Sequence, residues 1–110
     1  MSKFDDVFGK AKAQMDTLGA SYDEDLLMKV AKGLGPSIYN QDAASVAVSQ
    51  KTEMETVKKN FVMKKLGVTD ESKADAALNK VAETMKAAKN KSRINFYYLL
   101  VKELGKESTY

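Results

Sequence analysis

Residues 92–104 read Ser-Arg-Ile-Asn-Phe-Tyr-Tyr-Leu-Leu-Val-Lys-Glu-Leu, and this stretch decides the fold. In a helix that turns about 100° per residue, one face holds Ile94, Tyr97, Leu100, Val101 and Leu104. Phe96, Leu99 and Tyr98 lie off that face, so the helix is apolar nearly all round. Such a helix is either central to a bundle or carries an exposed patch for a partner, such as a dimer interface. We expect it to be central, with two tyrosine hydroxyls reaching the surface or a polar group.

Four further helices precede this one. Apolar residues recur at helical spacing over residues 4–18, 23–34, 52–66 and 72–88. Capping-box spacing pairs Ser21 with Glu24 and Thr52 with Glu55, which predicts two of the helix starts. Leu-Gly pairs end four of the five helices, because glycine accepts the left-handed conformation that follows a last helical turn. The sequence predicts a compact all-α bundle of about five helices in a single domain, residues 1–110.

The amino-acid composition excludes most familiar enzyme mechanisms. The 110 residues include no Cys and no His. Thiol catalysis and zinc-thiolate sites need cysteine, and histidine is the commonest general base and metal ligand. No glycine-rich phosphate loop or calcium loop replaces them. We therefore expect a non-enzymatic protein with no catalytic residues, metal or cofactor.

Charge is distributed unevenly along the chain. Residues 1–55 hold six lysines and nine acids, a net charge of −3, whereas residues 56–110 hold eleven lysines, Arg93 and six acids, a net charge of +6. The second half predicts a candidate basic surface. Its members are Lys58, Lys59, Lys64, Lys65, Lys86, Lys89, Lys91 and Arg93. Such a surface would bind nucleic acid weakly and without sequence preference, since lysines act as point charges.

The third predicted helix does not show a simple apolar face. Val57 and Phe61 point one way, while Val62 and Leu66 point about 100° away in α-helical geometry. Lys58 and the other lysines of this helix lie between or beside those two directions. Either these lysines form a ridge that faces phosphates, or their aliphatic stems cover the boundary between the two apolar directions while the ammonium groups stay in water. We favour the second interpretation.

A connector of about seventeen residues separates the second and third helices, which is long for a compact domain. Its polar side chains form a candidate interaction loop. They are Pro36, Ser37, Tyr39, Asn40 and Asp42. Alternatively, Ile38 and Tyr39 pin the loop to the bundle, so that it is only a connector.

Several segments carry a family resemblance. They are residues 25–27, the run Lys-Gly-Leu-Gly-Pro-Ser-Ile-Tyr-Asn at 32–40, residues 57–61 with 64–67, and residues 96–108. Together they resemble a family of short bacterial proteins that is catalogued only as a domain of unknown function. The resemblance implies a stand-alone helical protein. It implies no activity, cofactor or functional residue.

These observations favour a small protein that binds another protein or a second copy of itself, through the aromatic last helix or the loop after Pro36. The alternative is weak, non-specific nucleic-acid binding. Asp5 and Asp6 follow the N-terminus at once, which is unlike a signal peptide. The longest apolar run, residues 96–101, is far shorter than the roughly twenty residues that span a bilayer. We therefore expect a cytoplasmic protein without a membrane partner.

Overall fold

Five helices pack around a shared core in the computed structural model, which describes residues 3–19, 21–34, 51–86 and 92–106. The helices are α1 (Lys3–Leu18), α2 (Glu24–Gly33), α3 (Lys51–Thr56), α4 (Glu71–Thr84) and α5 (Arg93–Leu104). The chain of α3 continues without a break into a π-helix at Val57–Lys65, which we call the π segment. No β-strand occurs in the described ranges, so the predicted all-α fold is confirmed.

Helix α5 is central, as the sequence predicts. It packs against α1, α2 and α4. The side chains of Phe96 and Leu100 are fully buried, and that of Tyr98 is nearly so. The Tyr98 hydroxyl accepts a hydrogen bond from the backbone N–H of Asp23 at 2.7 Å, which ties the start of α2 to the core. These aromatic side chains are therefore buried within their own chain.

Aspartate side chains cap α2 and α4. The Asp23 carboxylate accepts hydrogen bonds from the N–H groups of Asp25 and Leu26. Asp70 caps α4 in the same way. The pairing of Ser21 with Glu24 is therefore wrong as a cap, because the extended residue before α2 is Asp23. Thr52 is no cap either, since it lies within α3.

Glycines end three helices as predicted. Gly19, Gly67 and Gly105 have φ angles of +70°, +72° and +66°. A residue with a Cβ atom is strained in this left-handed region, so each of these Leu-Gly pairs marks the end of a helix. The fourth predicted pair ends in Gly35, which lies outside the described residues. No helix in the described ranges has the length and apolar character to cross a bilayer.

The π segment resolves the conflict seen in the third predicted helix. At about 100° per residue, Leu66 would lie on the side opposite Val57. A π-helix, with its i→i+5 hydrogen bonds, turns only about 80° per residue, which returns Leu66 to the side of Val57 after two turns. The N–H of Leu66 indeed donates to the carbonyl of Phe61, five residues back, at 2.9 Å. Val57, Phe61, Val62 and Leu66 are consequently all buried.

A polar side chain fixes α1 against α5. Asn95 is fully buried, and its amide nitrogen donates to the Ala11 carbonyl at 2.9 Å and to Gln14 Oε1 at 3.1 Å. Gln14 Oε1 also accepts from the backbone N–H of Ser92 at 3.0 Å. A shift of the two helices along each other would break these hydrogen bonds, and a buried amide without its partners is costly. The sequence pattern did not reveal this role for Asn95.

Two glycine substitutions should change stability in opposite directions. Gly9 lies inside α1, and a Cβ atom there would meet no other atom within 4 Å. Gly9→Ala should therefore stabilise the protein by about 0.5–1 kcal/mol. Gly67→Ala should destabilise it by about 1–2 kcal/mol, because φ at this position is +72°. Urea unfolding measures both free energies of unfolding, and a shift of the same sign in both variants would contradict this assignment.

Candidate interaction groove

A groove of about 210 Å³ lies where the end of α2, the π segment and α5 meet. Its lining residues come from three distant parts of the chain. They are Gly33, Leu34, Asn60, Phe61, Lys65 and Tyr97. We call this the α2–π groove. Of these six, only Lys65 was a candidate site residue on sequence grounds.

Two stacked aromatic rings form the floor of the groove. The ring centroids of Phe61 and Tyr97 are 4.1 Å apart, and the ring planes differ by 27°. The two residues are only 6% and 8% exposed, so both rings are almost fully buried. Half-buried Leu34 adds an aliphatic wall. The floor is therefore apolar and already ordered.

The rim of the groove is polar because of the winding of the π segment. Asn60 and Lys65 are both exposed and stand five residues apart, which is about one turn of a π-helix. They consequently lie on the same side of the segment, next to the aromatic floor. The groove thus combines apolar contact with a polar rim, which includes an amide that can donate and accept hydrogen bonds.

An ion pair holds Tyr97 in place. Arg93 donates to the Tyr97 hydroxyl at 2.8 Å and pairs with Glu53 at 2.5 Å. Its guanidinium carbon is also 5.5 Å from the centre of the Tyr97 ring. A cation in the first turn of α5 faces the positive end of the helix dipole, so the Glu53 carboxylate offsets an otherwise unfavourable position. The pair links α3 to α5 and fixes the ring that forms the groove floor.

The pKa of the Tyr97 hydroxyl lies above the ordinary value for tyrosine. Burial raises the pKa of Tyr97, because the phenolate would lose its hydration. The Arg93 guanidinium opposes this effect by favouring the phenolate, while the Glu53 carboxylate adds to it. The balance keeps the hydroxyl neutral and able to accept the hydrogen bond from Arg93.

Lys58 does not belong to an exposed basic surface, contrary to that prediction. Its side chain is only 9% exposed, and its ammonium lies 3.3 Å from Asp75 Oδ1 and 3.4 Å from Glu55 Oε1. The hydrogen bond to Asp75 raises the pKa of Lys58 most, and Glu55 raises it further. The aliphatic stem of Lys58 covers the boundary between the two apolar directions of this helix, as the favoured interpretation expects. The ammonium, however, is held by carboxylates of α3 and α4.

Two other predicted cations within the described ranges are paired with carboxylates. Arg93 is half-buried and paired within the chain, and Lys86 lies beside Glu83 at 3.1 Å. Lys89 and Lys91 lie outside the described residues. Three of the predicted cations are exposed together on the π segment. They are Lys59, Lys64 and Lys65.

The candidate interaction loop also lies outside the described residues. Its members are Pro36, Ser37, Tyr39, Asn40 and Asp42. The groove is nevertheless next to the start of that connector, since Leu34 lines it and is the last described residue before the loop. Within the described ranges, no cluster of acidic side chains could hold a metal ion.

Comparison with known proteins identifies a family over almost the whole chain. A family model described as "Protein of unknown function (DUF2853)" matches residues 10–108. The match includes most of α1 and all of α2 to α5, so it covers every residue of the groove. The resemblance to a family of unknown function is confirmed. No curated protein matches the chain.

Removing the Tyr97 hydroxyl should make the free energy of unfolding less dependent on pH in alkaline solution. The pKa of Tyr97 is raised in the folded protein, whereas a tyrosine in the unfolded chain has a pKa of about 10. The stability that this difference contributes is fully present below the unfolded pKa, and it is lost as the pH rises through the folded-state pKa. The free energy of unfolding of the wild type should therefore fall more steeply between about pH 9 and 11.5 than that of Tyr97→Phe. Parallel urea-unfolding curves for the two proteins over this range would contradict the assignment.

Proposed function

This chain belongs to the family described as "Protein of unknown function (DUF2853)", and we propose that it is a non-enzymatic protein-interaction domain. Its α2–π groove receives one apolar side chain of a protein partner. The observation that carries this proposal is the groove itself, with a stacked aromatic floor, an aliphatic wall and a polar rim. Tight protein interfaces commonly depend on one apolar anchor seated in such a pocket.

The size of the groove favours a side chain over a small molecule. Its volume is about 210 Å³, whereas sites for drug-sized ligands and cofactors span about 300–1,000 Å³. One large aliphatic or aromatic side chain is of roughly the size of the groove. Its floor needs no rearrangement, because the Arg93–Glu53 pair already fixes Tyr97. A pre-ordered floor lowers the entropic cost of binding.

Self-association and nucleic-acid binding have less support. The aromatic side chains of α5 lie within the core of their own chain. Two of the cations that nucleic-acid binding would use, Lys58 and Arg93, are engaged by carboxylates. Phosphate affinity grows with the number of available cations, so the loss of two weakens that alternative.

A titration with short peptides tests the proposal. The probes are the capped pentapeptides Gly-Ser-Phe-Ser-Gly, Gly-Ser-Leu-Ser-Gly and Gly-Ser-Ala-Ser-Gly. Binding is monitored through the backbone amide signals of the ¹⁵N-labelled protein. The Phe or Leu peptide should bind roughly tenfold tighter than the Ala peptide, because a large apolar side chain is buried. The shifted signals should be those of the six lining residues.

A matched pair of variants shows whether the groove is the site. Asn60→Trp places an indole at the groove and should abolish the shifts. Asn79→Trp makes the same change on the exposed side of α4 and should leave binding unchanged. Equal affinity for all three peptides, or equal binding by both variants, would overturn the proposed function.

A further inference from the structure

We propose that residues 57–66 have two windings, π and α, and that the partner of the α2–π groove binds only the π winding. This inference rests on the proposed function and concerns the regulation of the same site. The carrying observation is a change of hydrogen-bond register within one unbroken helix, since Lys51–Thr56 is α-helical and Val57–Lys65 is a π-helix. Such a boundary can move along a helix, because each amide exchanges one carbonyl partner for the next.

Both windings satisfy the backbone of this segment. In the π winding an N–H donates to the carbonyl five residues back, and in an α winding it would donate to the carbonyl four residues back. The exchange costs the interior of the segment no backbone hydrogen bond. The intrinsic preference of the backbone is for α, since π-helices are rare and are mostly single turns. The side chains must therefore hold this segment in the π winding.

The glycine stop after the segment is a widened form of the usual helix cap. After α5, the N–H of Lys106 donates to the Val101 carbonyl, five residues back, at 3.0 Å, as in an ordinary Schellman motif. After the π segment, the N–H of Val68 donates to the Val62 carbonyl, six residues back, at 3.2 Å. Gly67 has a φ of +72°, close to the +66° of the glycine that ends α5. The same glycine conformation thus ends a helix of either winding.

The N-terminal end of the segment is anchored in a way that suits both windings. The Lys58 ammonium lies 3.3 Å from Asp75 Oδ1 of α4 and 3.4 Å from Glu55 Oε1. A change from about 80° to about 100° per residue turns Lys58 by only about 20° relative to Val57. The rotation accumulates along the chain and reaches about 180° at Leu66. The change of winding is therefore concentrated at the end that lines the groove.

An α winding would dismantle the groove. Phe61 would turn by about 80° relative to the start of the segment, away from the Tyr97 ring that now lies 4.1 Å from it between centroids. Asn60 and Lys65 would be about 140° apart on the helix, whereas the π winding sets them about 40° apart. A partner that contacts both floor and rim consequently binds the π winding more tightly. Such differential affinity is what shifts a conformational equilibrium.

Two buried side chains oppose the preference of the backbone for α. An α winding would place Val62 about 140° and Leu66 about 180° from Val57 around the helix. In the π winding Val62 and Leu66 are only 0% and 4% exposed. The burial of their apolar surface stabilises the π winding against its intrinsic cost. Because the two contributions are opposed, we expect the α winding as a minor state of roughly 0.1–10% of the free protein.

Chemical-exchange saturation transfer detects a minor state of this size. The ¹⁵N amides of residues 61–68 should show exchange on the microsecond-to-millisecond timescale in the free protein, whereas those of α4 should not. Saturating capped Gly-Ser-Phe-Ser-Gly should remove this exchange, because bound molecules are held in the π winding. The same concentration of Gly-Ser-Ala-Ser-Gly is the control and should leave the exchange in place.

This measurement separates the two proposals. If the Phe peptide binds but residues 61–68 show no exchange in the free protein, the two windings are refuted and the proposed function stands. Exchange that persists unchanged in the saturated complex refutes the coupling in the same way. If the Phe peptide binds no more tightly than the Ala peptide, the proposed function itself fails.

A matched pair of core truncations tests the coupling through affinity. Leu66→Ala removes a side chain that the π winding alone buries, so it should raise the α population seen by saturation transfer. It should weaken binding of the Phe peptide about fivefold if about one fifth of the molecules keep the π winding, since only these are competent. Leu78→Ala removes the same side chain from the core face of α4 and should leave the affinity unchanged. Equal affinities of the two variants would overturn the coupling.

A deletion tests whether the segment accepts the α winding at all. Without Lys64, Leu66 stands eight positions after Val57, and an α-helix returns it to within about 80° of that residue. This variant should fold with i→i−4 hydrogen bonds in the segment, visible as scalar couplings, and should lose the exchange. Deletion of Lys80 is the control, because it turns the rest of α4 by about 100° and moves buried Met85 out of the core. Urea unfolding should show a much larger loss of stability for the control, and equal losses would refute the α winding.

Discussion

The structure depends on one requirement, the burial of four apolar side chains by a single helix. Val57, Phe61, Val62 and Leu66 all lie in the core, yet an α-helix would spread them over about half of its circumference. The wider winding of the π segment brings them to one side. A π-helix of nine residues is exceptional, since most are single-turn bulges, and such winding is frequent at functional sites.

The same winding creates the groove. It places Phe61 against Tyr97 of α5 and sets Asn60 and Lys65 on one side of the segment, beside that aromatic pair. The Arg93–Glu53 pair then fixes Tyr97 from the other direction. Core packing and the candidate site are thus two consequences of one local geometry.

Much of the fold could be predicted from the sequence. Helical periodicity located the five helices of the described ranges, Leu-Gly pairs marked the ends of three helical stretches, and the all-round apolar character of residues 92–104 identified α5 as the central helix. The π winding could not be predicted, because periodicity analysis assumes about 100° per residue. The divergence of Val62 and Leu66 from Val57 was its only signal. The groove joins residues up to sixty-four positions apart, from Gly33 to Tyr97, and the ion pairs of Lys58 with Asp75 and of Arg93 with Glu53 depend equally on tertiary packing.

Scalar couplings through hydrogen bonds test the central claim most directly, because they identify the carbonyl that each amide contacts. In a long-range HNCO spectrum, the amide of Leu66 should couple to the carbonyl of Phe61, five residues earlier. Amides within the π segment should likewise couple to carbonyls five residues back. Coupling of Leu66 to the Val62 carbonyl, with i→i−4 couplings throughout residues 57–65, would show an ordinary α-helix and contradict the account of both core and groove.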